Sequence, residues 1–218
     1  MDERFSANGR RFAGLIAVVA WIGLIVQFGT TTTNMGSFTA ATWHLLLFFT
    51  ITTNLGLAAA FTGIALGKPG FGAPVLLGCI TLSIVLVGVI YSLLLAGTVV
   101  LTAGDKLANV IMHYVVPILT PLFWLIHAPK GRLRARDPLI WAAYPLAYLA
   151  YALVRGAVEG QYPYGFLDVG KIGWMATASN ATAIAVGFLL AGYLIVWLDR
   201  QLARQAVFST LEAAPPNA

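Results

Sequence analysis

Apolar residues in this chain do not alternate with polar ones. They run in long blocks, and charge separates the blocks. No charged residue occurs between Arg11 and Lys68. That interval holds two helices of about 20 residues with a polar turn between them, the length needed to cross the hydrocarbon core of a bilayer. The pattern predicts helix one over residues 11–29, a Thr-rich turn over 30–42, and helix two over 43–66, stopped by Gly67, Lys68, Pro69 and Gly70. Later blocks predict helices over 74–97, 106–127, 138–155 and 171–198, with a basic loop at 130–136. No internal repeat or second domain is visible. The reading is therefore an all-α, polytopic integral membrane bundle of six transmembrane helices over residues 1–205, with a disordered tail over 206–218. The first apolar run lacks a clear small-residue cleavage site and reads as a retained helix.

Composition strengthens this reading. Of 218 residues, 59% are hydrophobic and 10% charged, against roughly 25% charged in a soluble domain. The net charge of +5 does not point to nucleic acid, because the basic residues lie between apolar spans. With six spans, Arg4, Arg10, Arg11, Lys68, Lys130, Arg132, Arg134, Arg136, Arg200 and Arg204 fall on one side, and Lys106, Arg155 and Lys171 on the other. The rule that basic residues stay inside then predicts a cell-membrane protein with both termini cytoplasmic. Cys79 is the single cysteine, which excludes an internal disulfide.

Polar side chains inside these blocks carry the candidate chemistry. The stretch 43–55 holds His44, Thr50, Thr52, Thr53 and Asn54 among apolar residues, and 109–113 holds Asn109 and His113. Ionisable groups inside a membrane are costly and need partners. Both segments enter from the same side, and at about 1.5 Å per residue Thr50 and His113 both lie about 10 Å deep. Tyr91, Ser92, Tyr148, Tyr151, Ser179 and Asn180 reach a similar level, which predicts a pocket facing outward. Pro117 withholds an N–H from the carbonyl of His113 and should distort helix four there.

A threonine hydroxyl becomes a nucleophile when a neutral imidazole takes its proton. Attack on an ester carbonyl would give an acyl-threonine that water then cleaves. With no acidic residue inside the predicted spans, Asn109, Asn54 or a backbone carbonyl would orient His113. The same amides, or Tyr151, would help bind an oxyanion, with Asn180 a further substrate contact. Against this stands the ordinary membrane threonine, which bonds back to the preceding turn and does no chemistry. There is no serine elbow, H-E-x-x-H motif or phosphate loop. Three His and one Cys on separate stretches make a dedicated metal site a poor reading, and a haem held by His44 and His113 a lesser alternative.

Three pieces carry a resemblance: F-F-T-I-T-T-N-L at 48–55, L-A-N-V-I-M-H-Y-V-V-P at 107–117 and G-Q-Y-P-Y-G-F-L-D at 160–168. In order and spacing the chain resembles the androgen-induced-gene and androgen-dependent TFPI-regulating membrane proteins and their bacterial relatives. The resemblance covers the six spans. It implies a multi-pass threonine hydrolase that cleaves fatty acid esters of hydroxy fatty acids, with a Thr in the second span and a His in the fourth. Carried across, these fall on Thr50 and His113, with Thr52 and Thr53 as fallbacks. The loop containing Tyr162 and Tyr164 would form a lid or structural cap over the pocket. The lipid-facing residues depart from the animal pattern. The expectation is a lipid ester hydrolase needing no cofactor, whose partners are its lipid ester substrate and the surrounding membrane lipid. The alternative is a non-catalytic lipid-binding protein or transporter using the same pocket.

Overall fold

A computed structural model describes residues 5–98 and 102–212, with 206–212 described by backbone alone. The described residues form helices and their connections, with no strand among them. The elements are α1 (Ala7–Met35), α2 (Phe38–Leu45), α3 (Phe49–Ala65), α4 (Pro74–Ile90), α5 (Ala103–Val110), α6 (Val116–His127), α7 (Asp137–Glu159) and α8 (Val169–Glu212). Two π-helical turns, Tyr91–Leu95 and Ile111–Val115, extend α4 and join α5 to α6. Five helices are long and apolar enough to cross a membrane, and the bent pair α2–α3 gives a sixth if counted as one span.

Large apolar side chains on the outside of the bundle agree with a lipid environment: Val158 is 80% exposed and Met175 82%. The inner faces meet in one core, in which Ile16, Leu57, Phe61, Leu77, Phe123 and Trp141 are fully buried. One end of the bundle gathers residue 5 onward, the end of α3, the start of α4, the end of α6 and the start of α7. There Phe5 packs on Phe123, the Arg10 guanidinium donates to the Ala65 carbonyl, and Asp199 accepts from the Leu133 N–H. The opposite end holds α2, both π turns, the close of α7 and the loop into α8. The candidate site lies at that opposite end.

The predicted helices are found, with three differences. First, helix one does not stop at Gly29. Thr30 and Thr33 donate their hydroxyls to the carbonyls of Val26 and Gly29, which lets a polar segment stay helical to Met35. Gly36 then takes a left-handed conformation (φ 67°) and ends the helix. Second, helix two is not continuous. Phe48 is extended (φ −94°, ψ 130°), and α2 and α3 meet at 97°. Third, α8 starts before Lys171, carries a break at Gly173 (φ 77°) and continues along the backbone to Glu212. The rest of the expected tail, 213–218, lies outside the described residues.

Candidate functional site

The break between α2 and α3 leaves backbone groups without helical partners. Other elements supply them. The Tyr148 hydroxyl, from α7, donates to the Leu47 carbonyl at 2.7 Å. The Phe49 N–H donates to the Tyr164 hydroxyl at 3.0 Å, with the Thr50 N–H beside it. Phe48 offers α3 no side-chain cap, so Tyr164 takes the capping role from a distant loop. Thr50 therefore sits in the first turn of α3, where the helix dipole is positive.

The Thr50 Oγ1 lies 3.2 Å from His113 Nε2. The other ring nitrogen, Nδ1, lies 3.2 Å from the Asn109 carbonyl. A carbonyl only accepts, so Nδ1 carries the proton and Nε2 faces Thr50 with its lone pair. The Thr50 O–H accordingly donates to His113. The Tyr91 ring stacks on the imidazole at 4.0 Å and 24°. The Tyr91 hydroxyl in turn accepts from the Asn109 amide at 2.8 Å. Orientation of the imidazole thus falls to the Asn109 carbonyl, while the Asn109 side chain holds Tyr91.

Both π turns belong to this arrangement. The Ala96 N–H reaches back to Tyr91, and the Val116 N–H to Ile111, each five residues earlier. Pro117 follows directly, so the distortion expected from its missing N–H takes the form of a π turn centred on His113. Gly88 of α4 permits the close approach: a Cβ there would lie 2.9 Å from Pro117 Cβ and 3.1 Å from the His113 carbonyl oxygen.

The other candidates divide. Thr52 and Thr53 both bond the Tyr144 hydroxyl, at 3.0 and 2.9 Å, and tie α3 to α7. Thr50 is the one of the three that meets His113. Asn54 is fully buried and donates to the Thr50 carbonyl at 2.8 Å, which steadies the turn beneath the hydroxyl. Tyr151 accepts from Arg155 at 2.7 Å, and Asn180 donates to the Phe166 carbonyl at 3.0 Å. Neither lines the cavities beside the pair. Asn180 instead fastens the 160–168 loop, which does roof the site: Tyr164 lines both cavities, Pro163 one, and Phe166 and Leu167 the other. His44 packs edge-on against Phe48 and lines the polar cavity.

Thr50 stands where two cavities meet. One, of about 140 Å³, is apolar and lies among α4, α7 and α8, with Leu86, Ile90, Leu146, Ile184 and Phe188 on its walls. The other, of about 280 Å³, is polar and includes Gln27, Thr31, His44, Asp105 and Asn109 together with His113. Thr50, Leu95 and Tyr164 line both. Among the described residues no group of three or more His, Cys, Asp or Glu is placed to hold a metal ion. Fold and site together define a helical bundle, of a form that fits a membrane, with a part-buried Thr–His pair between an apolar and a polar chamber. Compared with family models, curated proteins and solved structures, the chain matches none.

Tyr164 and Tyr91 were not assigned roles at the pair by sequence reasoning. The 160–168 motif was a usable signal for Tyr164, since its aromatic residues lie in the connection entering α8. Nothing in the local sequence marks Tyr91 as the ring that stacks on His113.

Proposed function

We propose that this chain is an integral-membrane hydrolase of lipid esters, related to the androgen-induced-gene family, with Thr50 as nucleophile and His113 as general base and acid. The observation that carries the reading is the Thr50–His113 contact at 3.2 Å, with the imidazole tautomer fixed by Asn109. In the first step His113 Nε2 takes the Thr50 proton, and Oγ1 bonds to the ester carbonyl carbon. The carbonyl oxygen becomes an oxyanion. Tyr164 is the proposed donor to it, since its hydroxyl is held at the start of α3 by the Phe49 N–H and lies beside Thr50. The positive end of α3 adds to this stabilisation. The imidazolium formed on His113 is held by the Asn109 carbonyl and by the stacked Tyr91 ring. Collapse breaks the bond to the alcohol, which leaves with the proton from His113. Water then attacks the acyl-Thr50 by the same route and releases the acid.

Orientation follows from charge. The described Lys and Arg residues at the end shared by residue 5 onward and the basic loop outnumber Lys106, Arg155 and Lys171 at the site end. This favours cytoplasmic termini and a site in the outer half of the membrane. The test is labelling of the purified protein with a fluorophosphonate probe, the adduct being located by mass spectrometry. The expected adduct is on Thr50 and is lost in His113→Ala. A folded protein that takes no adduct, under conditions that label a control hydrolase, would shift the reading to a lipid-binding protein or transporter.

A further inference from the structure

The division of space at Thr50 bears on which ester is cleaved. A nucleophile between two chambers places the acyl group in one and the alcohol in the other, because the carbonyl carbon must sit at Thr50 Oγ1 itself. The apolar chamber takes the acyl chain. Its lining residues are apolar apart from Thr50, Tyr148 and Tyr164.

The polar chamber takes the alcohol, and its chemistry is specific. It contains a carboxylate, Asp105, and among the described residues no Lys or Arg lines it. Asp105 Oδ1 accepts from the Gln27 amide at 3.3 Å, and Oδ2 from the Thr102 hydroxyl at 2.6 Å and the Thr102 N–H at 3.3 Å. The Gln27 amide also donates to Thr31 at 3.2 Å. These bonds use the amide hydrogens of Gln27, and one amide hydrogen of Asn109 goes to the Tyr91 hydroxyl. The amide oxygens of Gln27 and Asn109 have no partner among the described residues. The chamber is thus rich in acceptors and negative in charge. It suits a group that donates hydrogen bonds and carries no negative charge. A free carboxylate or a phosphodiester would meet Asp105 with no cation to offset it, and a long alkyl alcohol would bury these acceptors unpaired.

We infer that the substrate is a neutral acyl ester of a small polyhydroxylated alcohol, of the monoacylglycerol class, with its acyl chain in the apolar chamber and its hydroxyls on Asp105, Gln27 and Asn109. This rests on the hydrolase reading and departs from the hydroxy fatty acid esters that the resemblance implies, since their alcohol half is both anionic and long. The experiment compares hydrolysis of monooleoylglycerol, the oleate ester of a hydroxystearic acid, and oleyl oleate by the full chain in neutral nanodiscs. The glycerol ester is expected to have a kcat/KM at least about tenfold above the other two, the lower end of what one buried polar group left unpaired costs. Asp105→Asn keeps the helix cap and removes the charge, and should narrow the margin over the hydroxystearate ester. Gln27→Leu should raise KM for the glycerol ester. Equal rates on the three esters, or a margin unchanged in both variants, overturns the inference while leaving the hydrolase in place. If no ester is cleaved, the hydrolase reading fails, and binding of the matching oleyl ethers decides the chamber. A glycerol ether held more tightly than the carboxylate-bearing ether, with the difference reduced in Asp105→Asn, supports the chamber assignment; equal binding rejects it.

Discussion

At the scale of single residues, the candidate site is built from hydroxyls and carbonyls, with a backbone carbonyl rather than a carboxylate orienting His113. The Asn109 carbonyl fixes the tautomer of His113 without introducing a buried charge, which in a low-dielectric bundle would be costly. Tyr164 carries the larger share of the prediction. Tyr164→Phe removes both the cap on Phe49 and the proposed oxyanion donor, so kcat should fall about 100-fold or more with KM little changed, as for loss of one such donor. A variant that lost only KM would assign Tyr164 to substrate binding. Thr50 and His113 were legible in sequence because a polar side chain inside an uncharged apolar block stands out. The choice among Thr50, Thr52 and Thr53 was not legible by pattern alone. In the fold Tyr144, from a helix far along the chain, bonds Thr52 and Thr53, and Thr50 is the one that meets His113. Tyr151 and Asn180 illustrate the converse: both are polar at the right level, but their partners are Arg155 and a backbone carbonyl.

At the scale of elements, irregular backbone surrounds the pair. A π turn holds His113, a second holds Tyr91, and a 97° bend precedes Thr50. Apolar blocks bounded by charge located the long helices, because hydropathy sets their length. They did not locate the bend, because 46–48 contains neither Gly nor Pro, and the groups that compensate it come from Tyr148 and Tyr164. One irregularity was visible: Pro117 announced a fault beside His113, and the fault is the π turn. The packing of α4 on that turn can be tested. Gly88→Ala should destabilise the protein by about 1–3 kcal/mol through overpacking, and should slow labelling of Thr50 because Pro117 and the His113 carbonyl must move. Gly187→Ala in α8, whose Cβ would meet nothing within 4 Å, is the control. It should be neutral or stabilising by up to about 1 kcal/mol. Equal melting of the two variants would show that α4 is not held against the turn.

At the scale of the whole molecule, charge and apolar surface divide the bundle into two ends and a belt. A direct check of the orientation uses the single native cysteine. In a Cys79→Ser background, Lys68→Cys should resist a membrane-impermeant maleimide in intact cells and react after the membrane is opened, while Lys106→Cys should react in both. The reverse pattern would place the site on the cytoplasmic face and would reassign the compartment from which its substrate comes.

The bend ahead of Thr50 also has a consequence in time. Thr50 and His113 are synthesised well before Tyr148 and Tyr164, which lie 101 and 115 residues beyond the groups they satisfy. Until α7 and the 160–168 loop arrive, the bend would leave Leu47 and Phe49 unpaired in an environment that offers them no water. The economical state of the unfinished chain is then a straight helix through 46–48, which removes the turn that presents Thr50. A ribosome-bound chain carrying both Thr50 and His113 would then lack the assembled pair, and the last hairpin to enter the membrane would complete it.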